Sequence, residues 1–316
     1  MRALLNPAAF AAVILAAGPA LAAGHPAGAP ASAPHPPISP KTVRGDRATA
    51  PLTFVGGMPT LDVTINGKGP FKLGFDTGAV GEAGLTEGVV AALGLPRIGQ
   101  ALSTDPSGRN PITIPLYRLD NLAVGGVAAT GWLATGSPPM RGALATLDGI
   151  IGLDAFPGFV VTLDYAAGRF SLRRGALPPA DGKTIFAYRD SIPVVPLTIE
   201  GRTLEAHLDT GNVRLALMAP ESFTAGLKNH AQARAIGQAH TVNNTIDLFS
   251  VDLAGPARIG EVALTADSVG YPSVIPIANV GSPALQGLVV KVDPANHRVM
   301  ISRGAAPASP AAPAGR

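Results

Sequence analysis

"GFDTGAV" (residues 74–80) has a near copy, "HLDTGNV" (residues 207–213), in the second half of the same chain. The likeness extends upstream, where "MPTLDVTINGKGPFKLGFDTGAV" (58–80) resembles "IPVVPLTIEGRTLEAHLDTGNV" (192–213). Each copy contains a strand-like run, a short turn, a second strand-like run and then Asp-Thr-Gly. Because internal likeness of this kind is typical of a duplicated structural unit, the sequence predicts two similar halves.

The likeness continues downstream of both copies. "IIGLDAFPGFVVTLDYAAGRFSL" (150–172) pairs with "NVGSPALQGLVVKVDPANHRVMI" (279–301), and Gly152 matches Gly281. A random order of this composition would give on the order of 0.1 Asp-Thr-Gly tripeptides. Two tripeptides at the same place in a repeat therefore indicate one supersecondary unit that occurs twice in the same order.

The composition and the periodicity indicate an all-β chain with short helices. Glycine (38 residues) and proline (31 residues) are both frequent, which favours turns and short strands over long helices. "LDVTI" and "VPLTI" alternate between apolar and polar residues, as half-buried strands do. The same alternation puts both Asp-Thr-Gly aspartates at strand ends, on the face away from the core. Short helices are expected within residues 85–96 and 220–230.

Asp76 and Asp209 are the candidate catalytic residues. Two carboxyl groups a few ångströms apart cannot easily both ionise, so they share one proton. The ionised carboxylate can then take a proton from a bound water, while the protonated one polarises a carbonyl group. Glycine allows a tight turn with a backbone N–H close to the carboxylate, and the threonine hydroxyl can bond across to the other half. The residues predicted to support the pair are Thr77, Gly78, Thr210 and Gly211.

The motifs resemble the signature of the retropepsin-type aspartic proteases. In that signature an Asp-Thr-Gly-Ala run is followed, further along the chain, by two apolar residues and a glycine. The first half has both parts, at 76–79 and 150–152, and the second half repeats the tripeptide. The residues that match the second part are Ile150, Ile151, Gly152 and, in the second half, Gly281. Over about residues 50–303 the chain resembles bacterial, secreted aspartyl-protease-like proteins in which two retropepsin-like lobes are fused.

The resemblance implies an all-β, bilobal, pepsin-like pseudo-dimer of two closed-barrel lobes, at residues 49–180 and 181–303. It implies an exported aspartic endopeptidase in which a water between the two aspartates attacks an extended peptide or protein substrate. It also implies a monomer without cofactor or metal, in which a β-hairpin flap covers the cleft. The flap segments that it implies are "STDPSGRN" (103–110), with Ser107 and Gly108 at its turn, and "TVNNT" (241–245).

Two residues of the second half depart from this family pattern. Asn212 stands where the first half has Ala79, and Asn279 stands where it has Ile150. Since the implied fold brings the two segments together, we expect the asparagine side chains to bond to each other or to the Asp209 loop. Such bonds would retune the carboxyl pair or mark a half that no longer catalyses. The alternative function is a non-catalytic, peptide-binding relative, and a third alternative is a pair of unrelated structural turns.

Several polar and aromatic residues outside the tripeptides are expected to be structural. Asp164 and Asp293 lie in hairpin-like turns, and Asp148 and Asp154 flank the Ile-Ile-Gly run. His207 precedes the second tripeptide, and Trp132, the single tryptophan, is expected in the core. The chain has no cysteine and none of the HExxH, GxSxG or GxxxxGK motifs, although a serine triad follows no fixed order and stays open.

The ends of the chain predict export. Residues 1–22 fit a secretory signal peptide, because the apolar run at 8–17 is shorter than the roughly 20 residues that the alternative, a membrane anchor, needs. A Pro/Ala-rich linker is expected at 23–48 and a disordered tail at 304–316. The protein is therefore predicted to be periplasmic or secreted, without stable membrane insertion after signal cleavage. The net charge of +3, without a basic run, predicts no nucleic-acid partner.

Overall fold

A computed structural model describes residues 42–103, 108–137, 140–241, 244–274 and 277–304. Of the predicted features, the signal peptide, residues 23–41 of the linker, residues 104–107 of the first flap segment with the flap candidate Ser107, residues 242–243 of the second flap segment and residues 305–316 of the tail lie outside these ranges. Within the described ranges, no helix is long and apolar enough to cross a membrane.

The protein is mostly β-sheet with few helices, as its composition and alternation predict. In chain order the strands are β1 (Thr42–Arg44), β2 (Arg47–Pro51), β3 (Thr53–Val55), β4 (Met58–Ile65), β5 (Lys68–Phe75), β6 (Ala83–Leu85), β7 (Arg97–Ser103), β8 (Ile112–Val124), β9 (Val127–Gly136), β10 (Gly149–Ile151), β11 (Phe159–Asp164), β12 (Arg169–Arg174), β13 (Ile185–Ala187), β14 (Val194–Ile199), β15 (Arg202–Asp209), β16 (Leu217–Met218), β17 (Arg234–His240), β18 (Thr245–Asp252), β19 (Ala257–Ile259), β20 (Val262–Ala263), β21 (Ser268–Pro272), β22 (Ala278–Gly281), β23 (Leu288–Asp293) and β24 (Arg298–Arg303). The α-helices are α1 (Glu87–Leu93) and α2 (Glu221–Thr224), and the 3-10 helices are Gly142–Thr146, Leu153–Ala155, His230–Gln232, Ser282–Leu285 and Pro294–Asn296. Both α-helices fall within the two segments expected to be helical.

One nine-stranded sheet is built from the first half of the chain. Its strand order is β1-β9-β6-β10-β5-β4-β8-β7, with β3 added on β4. A further pairing between β8 and β9 closes the central strands into a ring. The length of β8, 13 residues, lets its C-terminal part pair with both β4 and β9, which closes the ring, while its N-terminal part pairs with β7.

A second nine-stranded sheet is built from the second half, in the order β17-β18-β21-β16-β22-β15-β14-β19-β20. Its run β16-β22-β15-β14 repeats the run β6-β10-β5-β4 of the first sheet, including the parallel pair beside each tripeptide. Gly255 and Pro256, which has no N–H to donate, lie between β18 and β19, where the first half has the single long strand β8. Among the described pairings this sheet does not close, which departs from the two closed barrels that the resemblance implied.

A six-stranded sheet, β13-β24-β23-β11-β12-β2, joins the two halves of the chain. At its centre β11 and β23 run antiparallel, with Val161 opposite Val292 and Asp164 opposite Val289. Each of these strands is the first strand of a hairpin, β11–β12 and β23–β24, as the turn sequences predict. The halves are therefore connected by main-chain hydrogen bonds.

The folded chain begins earlier than the sequence predicts. Strand β1 (Thr42–Arg44) pairs with β9, and strand β2 (Arg47–Pro51) pairs with β12, although a linker is predicted over 23–48. Ala48 is buried in the core. The predicted boundary was wrong because these short strands are held mainly by main-chain hydrogen bonds to sheet edges, and such strands have little apolar signal of their own.

The core fixes the strands that lead to the two tripeptides. Leu73 and Phe75 of β5 are fully buried, and so are Ala206 and Leu208 of β15. Trp132 is also fully buried, as predicted, and its ring meets a phenylalanine of the same cluster edge-on. Burial of alternate residues sets which way each strand faces, so the aspartate that ends each strand points away from these apolar groups.

Candidate active site

Each candidate aspartate sits at the end of a central strand, beside a parallel neighbour. Asp76 follows β5, and its N–H donates to the Ile151 carbonyl of β10 at 3.0 Å. Asp209 is the last residue of β15 and stands opposite Gly281 of β22. The repeat therefore builds the same local structure around both aspartates.

The two carboxyl groups meet in the interior of the protein. Asp76 is fully buried and Asp209 is 4% exposed. Each carboxyl group affects the pKa of the other, which raises the pKa of Asp76 and lowers that of Asp209. A Cβ added to Gly78 would lie 2.7 Å from the Asp209 Cγ, and one added to Gly211 would lie 2.6 Å from the Asp76 Cγ. Only glycine allows the two loops to approach this closely.

Backbone N–H groups of the tripeptides hold both carboxyl groups in place. The Gly78 N–H donates to Asp76 Oδ1 at 2.8 Å. The Gly211 and Asn212 N–H groups both donate to Asp209 Oδ1, at 2.9 and 3.1 Å. Asp76 Oδ2 is buried and has no N–H or O–H donor within the described ranges. A proton on one of the two carboxyls would satisfy that oxygen, so the geometry fits a pair that holds one proton.

Burial raises the pKa of both carboxyl groups. For Asp76 the loss of water is the largest cause and the negative charge of Asp209 adds to it, so its pKa lies well above its ordinary value. For Asp209 burial also raises the pKa, but hydrogen bonds from Asn279, from Asp76 and from the backbone oppose this rise. Because Asp209 accepts three N–H groups while Asp76 Oδ2 has no donor within the described ranges, we assign the proton of the pair to Asp76 and the negative charge to Asp209.

The raised pKa of Asp76 predicts that stability falls as the pH rises. The folded state binds more protons than the unfolded state between the ordinary pKa and the raised one, so the free energy of unfolding decreases from about pH 4 upward. Asp76→Asn cannot ionise, so it should flatten this slope and raise stability at neutral pH. Denaturant unfolding at a series of pH values measures the effect. An unchanged slope would contradict the assigned proton.

The two threonines link the tripeptides of the two halves. Thr77 Oγ1 donates to the Leu208 carbonyl and Thr210 Oγ1 donates to the Phe75 carbonyl, both at 2.6 Å. Each hydroxyl also accepts the N–H of the other threonine, at 3.0 Å for the Thr77 N–H and 3.1 Å for the Thr210 N–H. These four buried bonds fix the two aspartates relative to each other, as the sequence predicts for the threonine hydroxyls.

Thr210→Val should loosen this link while keeping the shape of the side chain. The Phe75 carbonyl and the Thr77 N–H each lose a buried partner, so we expect the free energy of unfolding to fall by about 2 kcal/mol. Thr210→Ser keeps the hydroxyl, so its free energy of unfolding should fall much less. Urea unfolding of the two variants measures the difference. Equal stability of the serine and valine variants would show that the hydroxyl bonds do not hold the halves together.

The Ile-Ile-Gly segment and its counterpart lie beside the tripeptide loops. Ile150 and Ile151 are buried in β10, which runs parallel to β5. A Cβ on Gly152 would overlap a carbonyl oxygen of the loop that follows the first tripeptide, and one on Gly281 would overlap the Leu215 carbonyl oxygen. Neither glycine has a positive φ, so the close backbone approach is what requires glycine here.

The departures in the second half form a chain of hydrogen bonds to Asp209. Asn212 Nδ2 donates to Asn279 Oδ1 at 2.9 Å, and Asn279 Nδ2 donates to Asp209 Oδ2. Both asparagines are buried. The hypothesis that these side chains bond to each other or to the Asp209 loop is confirmed, because they do both.

Two hairpins contain the predicted flap segments. β7 and β8 pair up to Ser103 opposite Ile112, and β17 and β18 pair up to His240 opposite Thr245. Gly108, the described flap candidate, has a φ of +67°, which glycine adopts without strain. The chain therefore forms a hairpin at both places, although part of each turn lies outside the described ranges.

The tips of the two hairpins touch each other. Asn110 Nδ2 donates to Asn244 Oδ1 at 2.7 Å, and Asn244 Nδ2 donates to the Arg109 carbonyl at 3.3 Å. The contact joins the two halves at a place far from the tripeptides in sequence.

Two groups near the site were not predicted from the sequence. Arg214 follows the second tripeptide, and its guanidinium donates to the Ile236 and Gln238 carbonyls of β17, both at 2.6 Å. The Tyr165 hydroxyl lies 3.2 Å from Ser282 Oγ, and the Ser282 N–H donates to the Asn212 carbonyl at 2.9 Å, so Tyr165 lies near the Asp209 loop. The only signal in the sequence was that Arg214 occupies a position that is glycine in the other half.

The acidic residues outside the tripeptides have structural partners, as predicted. Asp164 and Asp293 accept N–H groups within their own turns, at 2.9 and 3.2 Å. Asp148 and Asp154 accept N–H groups from neighbouring strands and loops, at 2.8 and 2.9 Å. Burial lowers the pKa of His207 and favours its neutral form.

Comparison with known proteins assigns no family, since neither a family model nor a curated protein matches the chain. The residues that the structure describes include no group of three or more His, Cys, Asp or Glu side chains that could hold a metal ion. The candidate site therefore rests on the geometry of the two tripeptides and on the repeat that contains them.

Proposed function

We propose that the protein is an exported aspartic endopeptidase, which hydrolyses peptide bonds with a water activated by Asp76 and Asp209. One observation supports this most strongly: the two Asp-Thr-Gly loops bury two carboxyls, each against the glycine of the other loop, and one carboxyl oxygen has no donor within the described ranges. The proposal includes a bilobal, pepsin-like pairing of two retropepsin-like halves. The matching strand runs of the two nine-stranded sheets, and the six-stranded sheet that joins them, support that arrangement.

In the proposed reaction a water lies between the two carboxyls. Asp209 takes a proton from the water while the water oxygen attacks the peptide carbonyl carbon. Asp76 gives its proton to the carbonyl oxygen. The tetrahedral diol breaks down when Asp209 gives its proton to the leaving nitrogen and Asp76 recovers a proton from a hydroxyl group. The C–N bond breaks, a carboxylic acid and an amine form, and the pair returns to its single proton.

We propose that the substrate is an extended segment of a peptide or protein that lies between the carboxyl pair and the two hairpins. An extended chain can bind to such hairpins through main-chain hydrogen bonds, which leaves side-chain pockets to set specificity. The bond between Asn110 and Asn244 would have to break to admit it. The proposed protein acts as a monomer in the periplasm or outside the cell, without a metal or a cofactor.

A non-catalytic, peptide-binding protein is the alternative function, and the asparagine chain of the second half favours it. Asp209 accepts hydrogen bonds from two backbone N–H groups and from Asn279. Each donor stabilises the carboxylate, and a carboxylate with many donors is a weaker base. A pair whose base is weakened in this way could hold a peptide without hydrolysing it.

Incubation of the purified full chain with a peptide library, from acid to neutral pH, separates the two functions. For an endopeptidase, mass spectrometry should find new peptide ends that increase with time and with protein concentration. The matched control is the double variant Asp76→Asn, Asp209→Asn, prepared in the same way, which should give none. Saturable binding without new ends supports the alternative, and the absence of both cleavage and binding contradicts both proposals.

A further inference from the structure

The surroundings of the two carboxyls differ although the halves repeat. In the first half, the positions that match the asparagines are Ala79 and Ile150, and both pack in a small apolar cluster. In the second half, Asn212 is fully buried and Asn279 is 3% exposed. Only one of the two carboxyls, that of Asp209, is therefore bonded by an amide side chain within the described ranges.

The orientation of both amides is fixed by the backbone. Asn212 Oδ1 lies 3.3 Å from the Arg214 N–H and 3.1 Å from the Leu215 N–H, and these groups can only donate. The other end of Asn212 is then its NH₂ group, which must donate to Asn279 Oδ1. That bond in turn leaves the NH₂ group of Asn279 facing Asp209 Oδ2. A reversed amide at either position would place two acceptors or two donors against each other.

The chain of bonds acts on one side of the pair. Asp209 has three donors, two from the backbone and one from Asn279, and all of them favour its ionised form. Asp76 has the Gly78 N–H on Oδ1 and no donor on Oδ2. The Gly211 N–H also favours ionised Asp76, but it is the smallest of the contributions there.

We propose that Asn279, oriented by Asn212, is a positioning residue that keeps Asp209 as the base of the pair and leaves Asp76 as the acid. The catalytic meaning of these two roles rests on the proposed function. The order in which the two carboxyls ionise does not rest on the proposed function, because it can be measured in a protein that cleaves nothing.

The other titratable groups that face the pair do not reverse this division. Burial lowers the pKa of His207, and the charges of Asp209 and Asp190 oppose that effect. A charge on His207 at low pH would favour ionised Asp209, which is the same direction. Burial raises the pKa of Tyr165, which stays neutral while the pair titrates.

The test follows each carboxyl carbon by ¹³C NMR in the full chain labelled at aspartate, with Asp76→Asn and Asp209→Asn used to assign the two signals. We expect Asp209 to ionise at lower pH than Asp76. Asn279→Ala removes one charge-assisted hydrogen bond, so the ionisation of Asp209 should move upward by about one pH unit. Asn212→Ala should give a smaller shift in the same direction, and the double variant should shift no further than Asn279→Ala.

The matched control removes the same kind of bond elsewhere. Asn296 Nδ2 donates to both carboxylate oxygens of Asp293, at 3.1 and 2.9 Å, in a hairpin turn. Asn296→Ala should leave the titration of the pair unchanged. If it shifts the pair as much as Asn279→Ala does, the effect is a general loss of stability and the inference is overturned.

Activity gives an independent measurement where the chain cleaves peptides. The acid limb of the rate profile of Asn279→Ala should move to higher pH by the same amount, while KM stays unchanged.

If the wild type cleaves nothing but Asp209 ionises first, the proposed function fails and the assignment stands. If Asp76 ionises first, or if Asn279→Ala lowers the rate at every pH without moving either titration, the assignment is overturned. If Asn279→Ala does not fold, the order in which the two carboxyls of the wild type ionise and the titration of Asn212→Ala still test the assignment.

Discussion

Asp76→Asn and Asp209→Asn should each lower kcat/KM for a cleaved peptide by on the order of 10⁴-fold or more. The proposed reaction needs one carboxylate to take a proton from water and one carboxylic acid to protonate the carbonyl oxygen. An amide at Asp76 has no acidic proton, and an amide at Asp209 is not a base. The rate constants from a fluorogenic peptide, measured for both variants and the wild type, give the size of the loss.

A surface aspartate provides the control for this prediction. Asp62 is 59% exposed and pairs with Lys72, so Asp62→Asn should keep the wild-type rate. Circular dichroism of all three variants checks that the fold is retained. If each single variant of the pair keeps most of the rate, hydrolysis comes from another site and the mechanism proposed for Asp76 and Asp209 is wrong.

Gly281→Ala should lower the free energy of unfolding by at least about 4 kcal/mol, or prevent folding. The added Cβ would overlap the Leu215 carbonyl oxygen and lie 2.6 Å from the Asn212 carbonyl oxygen. Both are backbone atoms, which cannot rotate away as a side chain can. The Gly281 N–H, which donates to the Ala216 carbonyl at 2.9 Å, is displaced by the same movement. Guanidinium unfolding and the yield of soluble protein measure the effect.

Gly255→Ala is the matched control for this substitution. A Cβ at Gly255 meets no atom within 4 Å, so the change should stay within about 0.5 kcal/mol. A neutral Gly281→Ala would mean that the segment after β22 does not need to approach the Asp209 loop closely. In that case the role given to this glycine by the repeat would be wrong.

Features with a local pattern could be predicted from the sequence. Asp-Thr-Gly at the end of an alternating strand, found twice, was enough to predict the carboxyl pair and the threonine bonds. The alignment of the two halves also singled out Asn212 and Asn279, because a duplicated unit makes a mismatch visible. Their bonds to Asp209 followed from the proximity that the duplication requires.

Features that depend on distant main-chain partners could not be predicted. The strand at Thr42–Arg44 exists because β9 offers a free edge, and nothing in its own polar sequence indicates this. The second sheet stays open within the described ranges, and its strands β18 and β19 are separate where the first half has the single strand β8. Arg214 binds two carbonyls on a strand more than twenty residues away, so its partners appear only in the folded structure.

The dependence of kcat/KM on pH for one cleaved peptide tests whether Asp76 and Asp209 work with a single shared proton. A pair that works with a single proton predicts a bell-shaped profile. The rate falls at low pH, where both carboxyls are protonated, and at high pH, where both are ionised, and the two apparent pKa values belong to the pair. A profile that lacks one of the two limbs while the protein stays folded would contradict the proton shared by Asp76 and Asp209. A bell-shaped profile that is unchanged in Asp209→Asn would contradict it as well.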